Sequence, residues 1–132
     1  SYLETNLRLL FGIILILATS CTDIFKTELP PIKDCTGDND ICSYNDSIQP
    51  IFNAYCTVCH HSASLSTELS LESRSDLFSS NVVIAGDSLN SILRQRLTGE
   101  LLPIMPLPPY ENLAISNIHM IAKWIQAGAS ND

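Results

Sequence analysis

Positive charge is scarce in this chain: its 132 residues hold 7 Lys and Arg against 14 Asp and Glu, for a formal net charge of −7. That balance argues against nucleic acid and against an anionic membrane surface as partners, and makes a basic docking patch on another protein the physical complement. Long apolar runs are lacking too. The run Leu9 to Ala18 covers only about ten residues, half of what a helix needs to cross a bilayer. No internal repeat or low-complexity tract divides the chain, and its length suits one small domain around one core, not two. Methionine is limited to two residues and tryptophan to one, so each of these positions has individual weight.

What the chain does have is Cys56-Thr57-Val58-Cys59-His60, a C-x-x-C-H sequence, which is the pattern for covalent attachment of a c-type haem. Two thiols three apart on a helix emerge on one side, so both sulfurs can form thioethers with neighbouring haem vinyl groups while the next residue, His60, reaches the iron. Three other readings compete for these residues. A thioredoxin-type C-x-x-C wants a βαβ setting, which the flanking sequence does not offer. A zinc site would recruit Cys56, Cys59 and His60 or His61, but a second ligand pair at suitable spacing is absent. A disulfide between Cys56 and Cys59 would close a short, strained loop.

The remaining cysteines fit an exported protein. Residues 1–20 read as an export signal, the apolar run forming its h-region, and Ala18-Thr19-Ser20-Cys21 is similar to a bacterial lipoprotein cleavage site after which Cys21 would carry lipid. A cleaved ordinary signal and an uncleaved anchor are the other readings of this segment. Cys35 and Cys42 are expected to form a disulfide, the alternative being two free thiols. Haem ligation to C-x-x-C-H and disulfide formation both belong to an oxidising compartment, so the expected location is the bacterial cell envelope, on the periplasmic or outer-surface side and held by a lipid anchor.

From Cys21 to Asp46 the chain is polar and broken by Pro30-Pro31 and by Asp34, Gly37, Asp38, Asn39 and Asp40, which reads as a tether ending in a disulfide loop. A domain over 47–130 follows. Ser47 is a candidate N-cap with Pro50 in the first turn, and Ile48, Ile51, Phe52 and Tyr55 recur at helical spacing. Leu69 to Leu71 and Asn81 to Ile84 read as short extended pieces, too short for a sheet. Asp87 is expected to cap a second helix with Leu89, Ile92, Leu93 and Leu97, stopped by Gly99. A last helix from about Asn112 to Ala127 carries Leu113, Ile118, Ile121, Ala122 and Ile125 on one face and stops at Gly128. The expected fold is mostly α, with about three main helices around one core.

If His60 holds one axial position of the iron, Met105 is the expected second ligand. Its loop, Leu102-Pro103-Ile104-Met105-Pro106-Leu107-Pro108-Pro109-Tyr110, cannot be helical, and the prolines stiff enough to fix its backbone also preorganise a weak thioether ligand. The alternative is that Met105 only fills core. His119 and Met120 on the last helix are rival ligands, His119 reading better as a surface residue. Arg74, Arg94 and Arg96 are equivalent candidates to pair with haem propionates.

Over about two thirds of its length, from Ser47 to Ala129, the chain resembles the planctomycete-type cytochrome c domains within the broader cytochrome c fold. The resemblance rests on Ile48-Gln49-Pro50-Ile51-Phe52 before the C-x-x-C-H motif, Leu69-Ser70-Leu71, Ala85-Gly86-Asp87 with Ser91-Ile92-Leu93, Met105-Pro106, and Trp124-Ile125-Gln126-Ala127-Gly128-Ala129. It implies helices wrapped around one covalent haem c, held by Cys56 and Cys59, with His60 as proximal and Met105 as distal iron ligand. The sequence departs from the pattern at His61, where a small residue is common, and at Pro106-Leu107-Pro108-Pro109. The function this implies is single-electron transfer between redox partner proteins outside the cytoplasm, without catalytic turnover. A haem sensor, a fixed haem subunit of a larger respiratory or degradative complex, and a small haem peroxidase are the alternatives.

Overall fold

The computed structural model describes residues 31–37 and 40–132. The expected export signal over 1–20 and the lipidated Cys21 lie outside the described residues. All regular structure among the described residues is helical, with no strand. A π turn, Tyr44–Ile48, runs directly into α1, Gln49–Tyr55; α2 is Arg74–Ser79, α3 is Ile92–Thr98 and α4 is Ile115–Gln126. No helix among these residues is long and apolar enough to cross a membrane.

The π turn changes how the first helix starts. Its wide loops are closed by the Ile48 N–H on the Ser43 carbonyl at 3.3 Å and by the Gln49 N–H on the Tyr44 carbonyl. Ser43 is the N-cap, its Oγ accepting from the Asp46 N–H at 3.2 Å. Ser47, the cap expected from sequence, is turned inward to 1% exposure, and its hydroxyl finds no hydrogen-bond partner. Beyond it the apolar spacing holds: Ile48, Ile51 and Phe52 are fully buried, whereas Tyr55, in the last position of α1, stays 46% exposed.

α2 has no counterpart in the sequence reading. It is six residues long with one fully buried side chain, Leu77, so it offers no period to detect; Ser73 caps it by accepting from the Asp76 N–H at 3.3 Å. α3 starts later than expected. Asp87 does not cap it but closes the preceding turn, accepting from the Asn90 N–H at 3.1 Å, and Leu89 remains 62% exposed. Ser91 stands at the N-cap instead, buried, with its Oγ donating to the Asp87 carbonyl at 2.8 Å and accepting from the Ile84 N–H at 2.9 Å. Gly99 ends α3 at φ +81°, the left-handed conformation that costs an L side chain about 1 kcal/mol or more.

α4 packs on α3 and on the π turn. Ile118, Ile121 and Ile125 on its inner face are buried with Leu113 just ahead of it. Trp124 is 1% exposed, its ring 5.3 Å from that of Tyr44, and its Nε1–H donates to the Ser130 carbonyl at 2.9 Å. The one polar atom of the indole is thus satisfied inside the core.

The packed body begins well before the expected boundary at Ser47. Cys35 and Cys42 form a disulfide, and both are core residues at 2% and 3% exposure. The Lys123 ammonium of α4 donates to the Cys35 carbonyl at 3.1 Å and to the Gly37 carbonyl, fastening this loop to the last helix. Asp132 closes the other side, its main-chain oxygen accepting from the Asn45 N–H at 3.1 Å and from Ser43 Oγ at 3.0 Å. Residues 31–37 and 40–46 therefore lie on the domain as part of it.

Candidate haem site

Cys56, Cys59 and His60 are brought together by the end of α1. The helix closes on the Phe52 carbonyl, which accepts from the Cys56 N–H at 2.8 Å, and one further turn follows, with the Cys59 and His60 N–H groups both donating to the Cys56 carbonyl at 3.1 and 2.9 Å. Both cysteines are free thiols, Cys56 partly buried against the core and Cys59 exposed.

The His60 ring is oriented by the main chain that follows it. Its Nδ1 lies 3.2 Å from the Leu69 carbonyl, and the adjacent Leu71 N–H donates to the His60 carbonyl at 2.9 Å, so the segment folds back over the histidine and grips it twice. With Nδ1–H donating to Leu69, the neutral imidazole presents Nε2 as its lone-pair nitrogen, the tautomer a metal ligand needs. Glu72 holds the intervening loop, accepting from the Ser62 N–H at 2.8 Å. That bond, then the Ser62 hydroxyl and the nearby His61, keep the Glu72 carboxyl below the usual carboxylate range.

Met105 is also partly buried and packs against the same core as Cys56, but a different element places it there. Its N–H donates to the Arg96 carbonyl of α3 at 2.9 Å, and the Arg96 guanidinium donates to the Pro103 carbonyl at 3.3 Å. The rival ligands separate cleanly: His119 is exposed on the outer face of α4, and Met120 is buried in the core at 4% exposure. Of the other two arginines, Arg94 pairs with Glu100 at 2.7 Å, and Arg74 donates to the Ala129 carbonyl at 2.6 Å while lying over the Phe78 ring.

The chemistry of this donor set suits a covalent haem: two thiols not consumed by each other, an imidazole with one nitrogen engaged and one available, and a thioether on a fixed loop. It suits the competing uses less well. Burial, and secondarily Cys59, pushes the Cys56 thiol up to about 12, the opposite of the lowered value that makes a redox-active thiolate. Among the described residues no three His, Cys, Asp or Glu side chains gather into a cluster able to hold a metal ion, as a structural zinc site requires. Apolar side chains are left uncovered in both segments concerned, Tyr55, Val58 and Leu65 around the cysteines and Leu102, Leu107 and Tyr110 around Met105. A porphyrin face is a natural cover for such surface.

Three residues hold this site in ways that sequence reasoning missed: Leu69 acts through its carbonyl, Glu72 through a contact ten residues back, and Arg96 as the anchor of the Met105 loop. Main-chain acceptors carry no side-chain signature, and Arg96 looked no different from Arg74 or Arg94. No protein-family model, curated protein or solved structure matches this chain.

Proposed function

We propose that this chain is a monohaem c-type cytochrome of the planctomycete type, with a cytochrome c fold, that passes single electrons between redox partner proteins outside the cytoplasm. Haem c would be held through thioethers at Cys56 and Cys59, with His60 and Met105 as axial ligands, and Cys21 would anchor the protein to the cell envelope through lipid. The observation that carries this reading is the C-x-x-C-H turn itself: two thiols free of each other, and a histidine whose Nδ1 is taken by the Leu69 carbonyl, which leaves its Nε2 lone pair for a metal.

The haem, when bound, supplies a reversible one-electron couple. The chain's own residues do the rest. Leu69 fixes the imidazole tautomer and raises its basicity through the Nδ1 hydrogen bond. Arg96 holds the Met105 loop at two points. With haem bound, both contacts would keep His60 and Met105 in place through a change of oxidation state, and with both residues ligating no place would be left open for substrate, which favours transfer over turnover.

The test is the optical spectrum, oxidised and reduced, of protein made together with a cytochrome c maturation system. The expected result is a low-spin c-type spectrum with the weak far-red sulfur-to-iron band, lost in Met105→Ala. A haem spectrum lacking that band would point to an open iron and to the sensor or peroxidase readings. Absence of covalent haem would overturn the proposal.

A further inference from the structure

We infer that Arg96 is a positioning residue that sets how firmly the Met105 thioether holds the iron, an assignment resting on the function proposed above. The reasons lie in the poverty of the loop it serves. From Gly99 to Ala114 the chain has no regular structure, and within Pro103-Ile104-Met105-Pro106 the two prolines have no N–H to donate. Only Ile104 and Met105 can donate from the main chain, and Met105 spends its N–H on the Arg96 carbonyl at 2.9 Å. The Arg96 guanidinium then donates to the Pro103 carbonyl at 3.3 Å, holding the loop one residue before Ile104. One residue of α3 thus grips the segment on both sides of Ile104, and the turn entering it is closed by the Leu101 N–H on the Gln95 carbonyl at 3.0 Å.

Such a grip matters because a thioether is a weak ligand, retained only if its carrier loop is already in place. Arg94 provides the internal contrast. It lies two positions earlier on the same helix and carries the same charge, but it pairs with Glu100 at 2.7 Å, ahead of the Pro103–Pro106 segment, and makes no contact with that segment's carbonyls. A general effect of positive charge near haem propionates would involve both arginines; a grip on the Met105 loop involves Arg96 alone.

The experiment is titration of the ferric holoprotein with imidazole, which displaces a thioether, followed by the loss of the far-red band. Arg96→Gln is expected to bind imidazole about tenfold more tightly than the parent, the size expected for losing a hydrogen bond from a charged donor. Arg96→Lys should fall between the two, and Arg94→Gln should match the parent. The assignment is overturned if Arg96→Gln stays within about twofold of the parent, or if Arg94→Gln shifts as far. Should Arg96→Gln fail to accumulate as folded holoprotein, Arg96→Lys is read by the same criterion: a tighter imidazole affinity supports the grip, and a parental one refutes it. Met105→Ala separates this inference from the function beneath it. If that variant keeps the band, Met105 is not the ligand and both fall; if it loses the band while Arg96→Gln titrates like the parent, only the role of Arg96 falls.

Discussion

Replacing Cys35 and Cys42 together by alanine tests whether the domain truly starts before Ser47. The two residues are separated by 7 positions and are both core residues, and the loop they close is fastened to α4 by the Lys123 ammonium. On the chain-entropy model, opening a loop of that length costs about 2.4 kcal/mol, by freeing the unfolded chain. For a domain of roughly 60–100 residues each kcal/mol moves the midpoint about 4–8 °C, so the double variant should melt about 10–19 °C lower. Thermal unfolding followed by far-ultraviolet circular dichroism measures it directly. Dithiothreitol on the parent protein should lower the midpoint by a similar amount, since Cys35–Cys42 is the one disulfide among the described residues. A shift below about 3 °C in both would mean that residues 31–46 are a tether that the core does not use.

Two further outcomes follow from the buried aromatic pair. Trp124→Phe removes the Nε1–H donor from the Ser130 carbonyl, made at 2.9 Å beside a ring only 1% exposed, and is expected to cost about 1–3 kcal/mol, read as a lower urea midpoint at unchanged slope. Tyr44 bears on alkaline stability. Burial first, and the Asp76 carboxylate second, raise its phenol above the ordinary value of 10.0, so the folded state holds its proton where the unfolded chain releases it. Stability from this group is therefore complete below pH 10.0 and declines as pH rises above it; urea unfolding between pH 9 and 11 should show that decline in the parent and a shallower one in Tyr44→Phe. Equal slopes in the two proteins would remove Tyr44 as the cause.

Periodicity and end signals made much of the helical plan legible. Ile48 at the end of the π turn, Ile51 and Phe52 in α1 and Ile118, Ile121 and Ile125 in α4 point inward as their spacing requires, and α3 stops at Gly99 because only a residue without a Cβ takes φ +81° without strain. The misses were also local in origin. Ser47 and Asp87 are good caps by composition, but Ser43 and Ser91 occupy those places, since a π turn and a closed Asp87–Asn90 turn displaced the helix starts. Six residues of α2, with Leu77 alone fully buried, were too few to show a period.

By itself the sequence determined the C-x-x-C-H segment and the two helices that became α3 and α4, because each depends on residues within a few positions of one another. Tertiary structure alone decided that Cys35 and Cys42 belong to the core, that the Leu69 carbonyl orients His60, and that Arg96 and not Arg94 anchors Met105. The first hangs on contacts such as Lys123 to Cys35 and Asp132 to Ser43, which join residues 88 and 89 positions apart, whereas His60 to Leu69 and Arg96 to Pro103 span 9 and 7. Most of them end on main-chain oxygens, which every residue possesses, so no choice of side chain announces them in advance.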